Sequence, residues 1–326
     1  VNQLQAIGLD FTKRATIAID EIQYSRNIPR VIKYLYDHYN IKFILTGSSA
    51  YYFKNHFSES LSGRKLIFEL LPLSFREFLK LQNVPYVPPL PDVNHPNKWQ
   101  FDEHAYQTLR SYYDEYIEYG GFPAVASSEG NDRKRAVLDS IYSSYINLDV
   151  EQLADFRSIS DLKRLVSLLG ARVGSRLNVD ELASVTGLSR PTVSNYLSFL
   201  EQTYLIRLLP AFSKSADVRA RLPKKVYFID TGIANLNADL SGGAKFENAV
   251  CHQLANYGKL AFHNDGDGEI DFVMDGKIAI EVKETPASSH LPTLQRRAAK
   301  LNIQQCGLIG RQLSERFVNY VWGGVL

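Results

Sequence analysis

Sulfur is scarce in this sequence, with two Cys and one Met among 326 residues. Cys251 and Cys306 stand apart, without C-x-x-C spacing. That excludes a disulfide-stapled scaffold and fits a reducing, cytoplasmic compartment. The seven His form no H-x-x-x-H or Cys/His cluster, so zinc is not expected. No apolar run approaches the ~18 residues that a membrane span needs, and no signal-peptide pattern opens the sequence. Internal repeats and low-complexity tracts are also missing. Neither charge dominates: 37 Lys+Arg face 35 Asp+Glu, a net charge of +2. Such a balance neither requires nor excludes a nucleic-acid surface, because a local basic patch can hide in it. Two further absences bear on function. The only Met is Met274, so the sequence opens at Val1 without an initiator; the expectation is a cleaved initiator or a start that lies upstream. No G-x-x-x-x-G-K-[ST] phosphate loop occurs anywhere.

What is present is ordinary for a globular protein: 45% apolar and 22% charged residues. At roughly 100–200 residues per domain, 326 residues predict two or three domains. Thr16-Ile17-Ala18-Ile19 reads as a short β-branched strand. A helix follows with Ile28, Val31, Ile32, Leu35 and Tyr36 at helical spacing, and Lys42-Phe43-Ile44-Leu45 reads as a second, buried-type strand. Two apolar strands separated by a helix suggest a parallel βαβ unit. Five prolines between Pro85 and Pro96 mark a loop or a domain edge. Residues 101–157 are helical and Tyr-rich, interrupted at Gly120-Gly121-Phe122-Pro123. The five tyrosines of 106–119 (Tyr106, Tyr112, Tyr113, Tyr116, Tyr119) suit helix packing better than base stacking.

Chemistry enters first at Asp20 and Glu21, delivered by the apolar strand at its C-terminal edge, where ligands of open parallel sheets bind. These residue types suit nucleotide hydrolysis: Asp20 would hold Mg2+ through its water shell and Glu21 would orient or deprotonate a water. Hydroxyls of Thr46, Ser48 or Ser49 could sense a γ-phosphate, and Arg64 could stabilise transferred charge. Without a phosphate loop, Asp20 and Glu21 alone cannot hold a triphosphate; two acids beginning a loop is the alternative reading.

A second constellation lies near the C-terminus. Glu247 stands at the start of an amphipathic helix, Asp271 in Glu269-Ile270-Asp271-Phe272-Val273, and Glu281 and Lys283 in Ile278-Ala279-Ile280-Glu281-Val282-Lys283. Period 2 sets Glu281 and Lys283 on one face of their strand. Phosphodiester hydrolysis needs carboxylates to hold Mg2+, here Asp271 and Glu281, and a cation near the scissile phosphate, here Lys283; Glu247 adds a further acid. A two-residue Asp275-Gly276 turn would set Asp271 and Glu281 on opposite faces. A three-residue loop, Met274-Asp275-Gly276, with Gly276 at the left-handed bulge position, sets them on one face and is the expectation. A polar hairpin face that merely meets solvent is the alternative.

Ala18-Ile19-Asp20-Glu21-Ile22-Gln23, Leu45-Thr46-Gly47-Ser48-Ser49, Leu61-Ser62-Gly63-Arg64, Leu71-Pro72-Leu73-Ser74-Phe75-Arg76-Glu77-Phe78, Gly120-Gly121-Phe122-Pro123 and Phe228-Ile229-Asp230-Thr231-Gly232 follow one another in the chain. The succession resembles the bacterial and archaeal AAA-superfamily ATPases that carry a C-terminal PD-(D/E)XK nuclease-like domain. In that family the phosphate loop lies several dozen residues before the acidic strand end; here 19 residues precede Asp20. The resemblance therefore implies ATP binding with a complete N-terminal module, and Glu247, Asp271, Glu281 and Lys283 match its E…D…E-x-K pattern one by one. It implies an α/β multidomain fold: a partial AAA-type parallel α/β core at 1–84, a helical lid at 85–157, a winged helix-turn-helix at 158–222 and a PD-(D/E)XK-like α/β domain at 223–326.

The helix-turn-helix candidate spans 178–201, with Gly187 as its turn, Ser189-Arg190-Pro191 as a helix cap, and Val193, Tyr196, Leu197 and Leu200 as the buried stripe. Arg190, Thr192, Ser194 and Asn195 could enter a major groove, or the unit could be a rigid connector. Lys214, Arg219, Arg221, Lys224 and Lys225 form a local basic cluster that could track phosphates or simply be solvated. The expected function is an ATPase-family protein coupled to a Mg-dependent DNA nuclease-like domain, with DNA and a protein partner or second copy as partners and no membrane. The alternative is an ATP-switched DNA- or protein-binding module whose nuclease-like domain is catalytically idle.

Overall fold

The structure is a computed structural model that describes residues 10–22, 28–47, 64–146, 159–266 and 268–326, together with Ala6 and Gly8. β1 (Ala15–Ile19) and β2 (Ile41–Leu45) pair in parallel, Ala15 with Ile41 through Ile19 with Leu45, and α1 (Ile28–His38) forms the crossover. This is the βαβ unit that the apolar pattern predicts. The expected stripe of α1 is only half used. Ile32 and Leu35 are buried, whereas Val31 and Tyr36 stand exposed. β2 also departs from a strand buried on both faces, since Lys42 and Ile44 alternate with covered residues.

A short run leads to α2 (Phe75–Leu81), whose entry is fixed by a capping box: Ser74 accepts from the Glu77 amide and Glu77 reaches back to the Ser74 amide. The proline-rich stretch is irregular, as expected, up to a 3-10 turn at Pro96–Lys98. Three helices follow: α3 (Glu103–Tyr119), the short α4 (Pro123–Ala126) and α5 (Asn131–Ser144). Tyr106, Tyr113, Tyr116 and Tyr119 of α3 are buried. Tyr113 meets Phe75 edge-on at 4.8 Å and Trp322 at 5.3 Å between ring centroids, so these rings serve packing.

α6 (Ile159–Gly170), α7 (Val179–Thr186) and α8 (Arg190–Gln202) come next. Asn178 caps α7 through the amides of Asp180 and Glu181, and Gly187, at φ 74°, ends it in the left-handed conformation. Ser189 caps α8, Pro191 sits in its first turn, and Val193, Tyr196, Leu197 and Leu200 are buried. β3 (Ile206–Leu209) then pairs antiparallel with β4 (Lys225–Phe228) across the short α9 (Ala216–Arg221). Residues before α7 join the other edge of β4 through Val173–Val226 and Arg176–Lys225 bridges.

After α10 (Thr231–Asn237) and α11 (Gly242–Leu254) the chain forms a five-stranded sheet ordered β5-β6-β7-β8-β9. β5 (Leu260–Asn264), β6 (Glu269–Met274) and β7 (Ile278–Lys283) are an antiparallel meander. A crossover through α12 (His290–Lys300) brings β8 (Gln305–Gly310) parallel to β7, and the two-residue β9 (Val321–Trp322) closes the edge. α12 packs Leu294 and Ala298 on Ile270, Val273, Ala279 and Leu308. The opposite face, with Phe272 and Ile280, belongs to one apolar cluster that runs from Phe75 to Leu326. Cys251 and Cys306 are free and buried. Among the described residues no helix is long and apolar enough to cross a membrane.

The two glycine motifs of the sequence interlock. Asp230 caps α10 by accepting from the Ile233 amide at 3.1 Å and takes the Gly121 amide on its other oxygen at 2.7 Å. Side chains of α10 bond the carbonyls at the end of α3: Thr231 donates to Tyr116 O, and Asn235 to Ile117 O and Glu118 O. The Gly121 carbonyl in turn accepts from the Leu73 amide at 2.8 Å, which ties the run before α2 to the same knot. Burial pushes the Asp230 carboxyl up to about 6 against the pull of three backbone amides. A carboxyl raised on folding contributes most below its unfolded value of 3.8 and loses that contribution as pH climbs through 6. The stability difference between wild type and Asp230→Asn should therefore fall by about 3 kcal/mol from about pH 4 to about pH 7. Urea unfolding across that range measures it, and a flat difference would contradict the assignment.

Candidate active site

At the N-terminal strand end, Thr46 follows β2 as Asp20 follows β1. The backbone links them, with the Thr46 amide on Ile19 O at 3.0 Å and the Ile22 amide on Thr46 O at 3.1 Å. The Thr46 hydroxyl donates to Asp20 Oδ1, which also accepts the Glu21 amide at 3.1 Å. Glu21 adopts φ 50°, so the chain turns sharply at the second acid. Asp20, Glu21 and Thr46 thus come together. Arg64 pairs with Asp37 on α1, and Ser48 and Ser49 lie outside the described residues.

The second constellation forms where β6 and β7 meet α11 and β4. Met274 pairs with Ile278 and Phe272 with Ile280. The connecting loop is therefore odd, as expected, but it is Asp275-Gly276-Lys277, one residue further along. Asp275 (φ 50°) and Gly276 (φ 68°) are both left-handed, and the Lys277 amide closes the turn on Met274 O at 3.0 Å. On its other side β6 is bulged, for the register shifts between Ala261–Val273 and His263–Ile270. Just beyond the last β6–β7 pair, Asp271 accepts the Val282 amide through Oδ2 at 2.8 Å. A carboxylate there takes the place of a ladder carbonyl, the kind of local re-aiming that bulges produce.

Lys283 gathers the two strand acids. Its ammonium lies 2.8 Å from Glu281 Oε1 and 3.9 Å from Asp271 Oδ2. Arg297, on α12, approaches Glu281 Oε1 at 3.7 Å and donates to Glu269 O at 2.8 Å. Glu281 is 7% exposed and Asp271 8%, and Glu281 Oε2 is buried with no hydrogen-bond partner among the described residues.

Glu247 stands in the middle of α11 rather than at its start, because Ser241 caps the helix further upstream through the Ala244 amide. It does not meet Lys283 directly. Its Oε1 accepts from Tyr227 at 2.6 Å and lies 3.5 Å from the ammonium of Lys225. Lys225 also pairs with Glu269 and lies over the Phe262 ring. This corrects the expected surface cluster of Lys214–Lys225. Lys225 is 1% exposed and belongs to the acids, whereas Lys214, Arg219, Arg221 and Lys224 are exposed. Alternation along β4 explains the placing of Lys225 and Tyr227 on one side. Asn248 clamps α11 to that strand by bonding both the amide and the carbonyl of Phe228, at 2.8 and 3.0 Å. A lone Asn in an apolar helix stripe was the available sequence signal for that clamp.

Burial first, and then the Asp271 charge, hold the Glu247 and Glu281 carboxyls above the usual range. Burial also raises Asp271, although Lys283 and the Val282 amide pull against it. For Lys225 and Lys283 burial disfavours the ammonium, but the surrounding carboxylates outweigh it and hold both above the usual value. Among the described residues no group of three or more His, Cys, Asp or Glu is arranged to hold a metal ion. The donors on offer are the pair Asp271 and Glu281. Mg2+ keeps several waters and takes one or two carboxylates alongside substrate phosphate, so this pair fits it, with the unpartnered Glu281 Oε2 as an open ligand position.

Comparison with known proteins bears on the first of these sites. Residues 2–79 match an AAA domain. The N-terminal module is AAA-like, a type of domain that in general binds nucleotide. Residues 110–242 match a domain of unknown function (DUF8612). The uncharacterized protein MJ1544 of Methanocaldococcus jannaschii is 27% identical over 94% of this chain and 70% of its own length. An uncharacterized protein of Haemophilus influenzae is 26% identical over 83% of this chain and 66% of its own, and MJ1637 of Methanocaldococcus jannaschii 27% over 97% and 71%. The chain thus spans 66–71% of the length of these relatives. No solved structure matches it. The AAA match contains Asp20, Glu21, Thr46, Ser48 and Arg64, and the acids around Lys283 lie outside both matched segments.

Proposed function

We propose that this chain belongs to a nucleotide-regulated protein that acts on DNA, with an AAA-type ATPase module and a Mg2+-dependent nuclease-like domain. In the AAA module Asp20 would serve a Mg2+–ATP complex through water, Glu21 would orient the attacking water, and Thr46, Ser48 and Arg64 would respond to the γ-phosphate. ATP itself needs a phosphate loop, which the 326 residues do not supply. The carrying observation for the nuclease-like domain is the convergence of Asp271 and Glu281 on the Lys283 ammonium, with Glu281 Oε2 buried and unpartnered. A bound Mg2+ would polarise a phosphoryl oxygen and favour hydroxide over water. Asp271 and Glu281 would hold it, Asp271 being kept in place by the Val282 amide. Lys283 would set its charge beside the scissile phosphate, and Glu247 would stay across the site on Tyr227 and Lys225.

DNA as substrate is supported by α7 and α8. With β3 and β4 they read as a winged helix-turn-helix that leaves Arg190, Ser194 and Asn195 exposed and Thr192 half-buried, with Arg219 and Arg221 on the connection between the strands. Metal-dependent cutting of plasmid or single-stranded DNA, lost in Asp271→Ala, is the expected result. A second reading is an ATP-switched binding module for DNA or a protein with an idle nuclease-like domain. It is favoured by the absence, among the described residues, of any three-acid metal set. DNA binding without cutting, indifferent to Asp271→Ala and Glu281→Ala, would support that reading and overturn the first.

A further inference from the structure

Four acids surround the strand ends of the nuclease-like domain, and their partners divide them into two pairs. Asp271 and Glu281 share the ammonium of Lys283, which is one-third exposed and sits at the mouth. Glu247 and Glu269 share the ammonium of Lys225, whose side chain is almost wholly enclosed. The second pair is further committed. Glu247 Oε1 accepts from Tyr227 at 2.6 Å, and Glu269 Oε2 accepts from Asn264 at 2.9 Å. Phe262 covers the Lys225 ammonium at 5.4 Å from its ring centroid. Gly174 (φ 73°) lies so close to Glu247 that a Cβ there would come 3.1 Å from Oε1. The first pair retains a buried oxygen, Glu281 Oε2, with no hydrogen bond among the described residues.

Resting on the metal reading above, we infer that Lys225 occupies the place a second cation would take between Glu247 and Glu269, so that this domain binds a single divalent cation, on Asp271 and Glu281. The physical reason is charge balance. Glu247 and Glu269 need opposite charge, and the enclosed Lys225 ammonium already provides it, whereas the one-third-exposed Lys283 ammonium has room to shift from Asp271 and Glu281 when a cation enters. A second divalent ion at Glu247 would have to displace an ammonium that is enclosed, because Lys225 projects inward from the start of β4 with its side chain 2% exposed. A two-metal arrangement, with ions about 3.5–4 Å apart sharing carboxylates, is thereby closed off by a residue on a different element from the acids. Lys225 is in this sense a positioning residue: it fixes Glu247 and Glu269 and leaves Asp271 and Glu281 as the metal ligands.

The probe is Mn2+ alone, followed by loss of its free-ion paramagnetic resonance signal as it binds the full chain. Counts are taken on an Asp20→Asn background, so that the acidic strand end of the AAA module adds nothing. One equivalent is expected. Glu247→Gln and Glu269→Gln should keep that equivalent, weakened only by the loss of a nearby charge, while Asp271→Asn and Glu281→Gln should each weaken it at least about tenfold. Two equivalents on the background chain would overturn the inference and leave the metal reading standing, as would loss of Mn2+ in Glu247→Gln. No bound Mn2+ on the background chain would overturn the metal reading itself, and the inference with it. The count of one or two on the background chain needs no substitution at the site, so it decides the matter even if a buried variant unfolds.

Discussion

A Gly120→Ala chain is expected to be about 3–5 kcal/mol less stable than wild type, enough to leave a marginal protein largely unfolded. Gly120 ends α3 at φ 80° and ψ −169°, a region essentially reserved for glycine. A methyl group there would lie 2.1 Å from Asp230 Oδ1 and 2.5 Å from its Cγ. The carboxylate cannot retreat, because the Gly121 and Ile233 amides hold its two oxygens. Strain and overpacking therefore act together, and relief would break the caps of both α3 and α10. Gly187→Ala is the control: it is left-handed as well, at φ 74°, but nothing lies within 4 Å of the added methyl, so it should cost only about 1–2 kcal/mol. Urea unfolding of both variants gives the comparison. Equal midpoints would mean that the Gly120–Asp230 contact is not the knot described.

Gly120-Gly121-Phe122-Pro123 and Phe228-Ile229-Asp230-Thr231-Gly232 are legible in the sequence as strings that carry the family resemblance, yet neither string reveals that it packs against the other across 110 residues of chain. The same division runs through the site. Period 2 correctly put Glu281 with Lys283 and required an odd hairpin loop, because those are consequences of pleating alone. The bulge on the β5 side of β6 was not legible, since a register shift depends on the partner strand rather than on local composition. β5 itself, Leu-Ala-Phe-His-Asn, carries no clean alternation that would mark it as a strand. Lys225 departs from its expected place for a related reason. In a run with Arg219, Arg221 and Lys224 its charge suggests solvent, and only the pairing of β4 with β3 and the approach of α11 turn it inward. Local features of 178–201 are the most legible: the Ser189 cap, Gly187 and the buried stripe Val193, Tyr196, Leu197 and Leu200 all stand where the sequence puts them.

Lys225→Met removes the charge while keeping most of the side-chain length, and it is expected to destabilise the fold by about 3–5 kcal/mol at pH 7, the usual cost of stripping one partner from a buried ion pair. Glu247 and Glu269 would then face each other near Asp271 with Tyr227 and Asn264 as donors. The sign of the pH dependence follows from Glu247. Burial and Asp271 already hold its carboxyl above the usual range while Lys225 pulls it down. Without the ammonium it rises further, so the folded variant binds a proton more readily than its unfolded chain. The deficit should be complete at neutral pH and shrink as pH falls through the raised value. A metal ion offers a second handle. If Lys225 stands where a cation would, millimolar Mn2+ should restore more stability to Lys225→Met than it adds to wild type, because a divalent ion can enter the vacated position between Glu247 and Glu269. Thermal unfolding at two pH values, with and without Mn2+, reads all of this. A deficit that grows on acidification, or a Mn2+ effect equal in both chains, would show that Lys225 is packed there for reasons other than the charge of its neighbours.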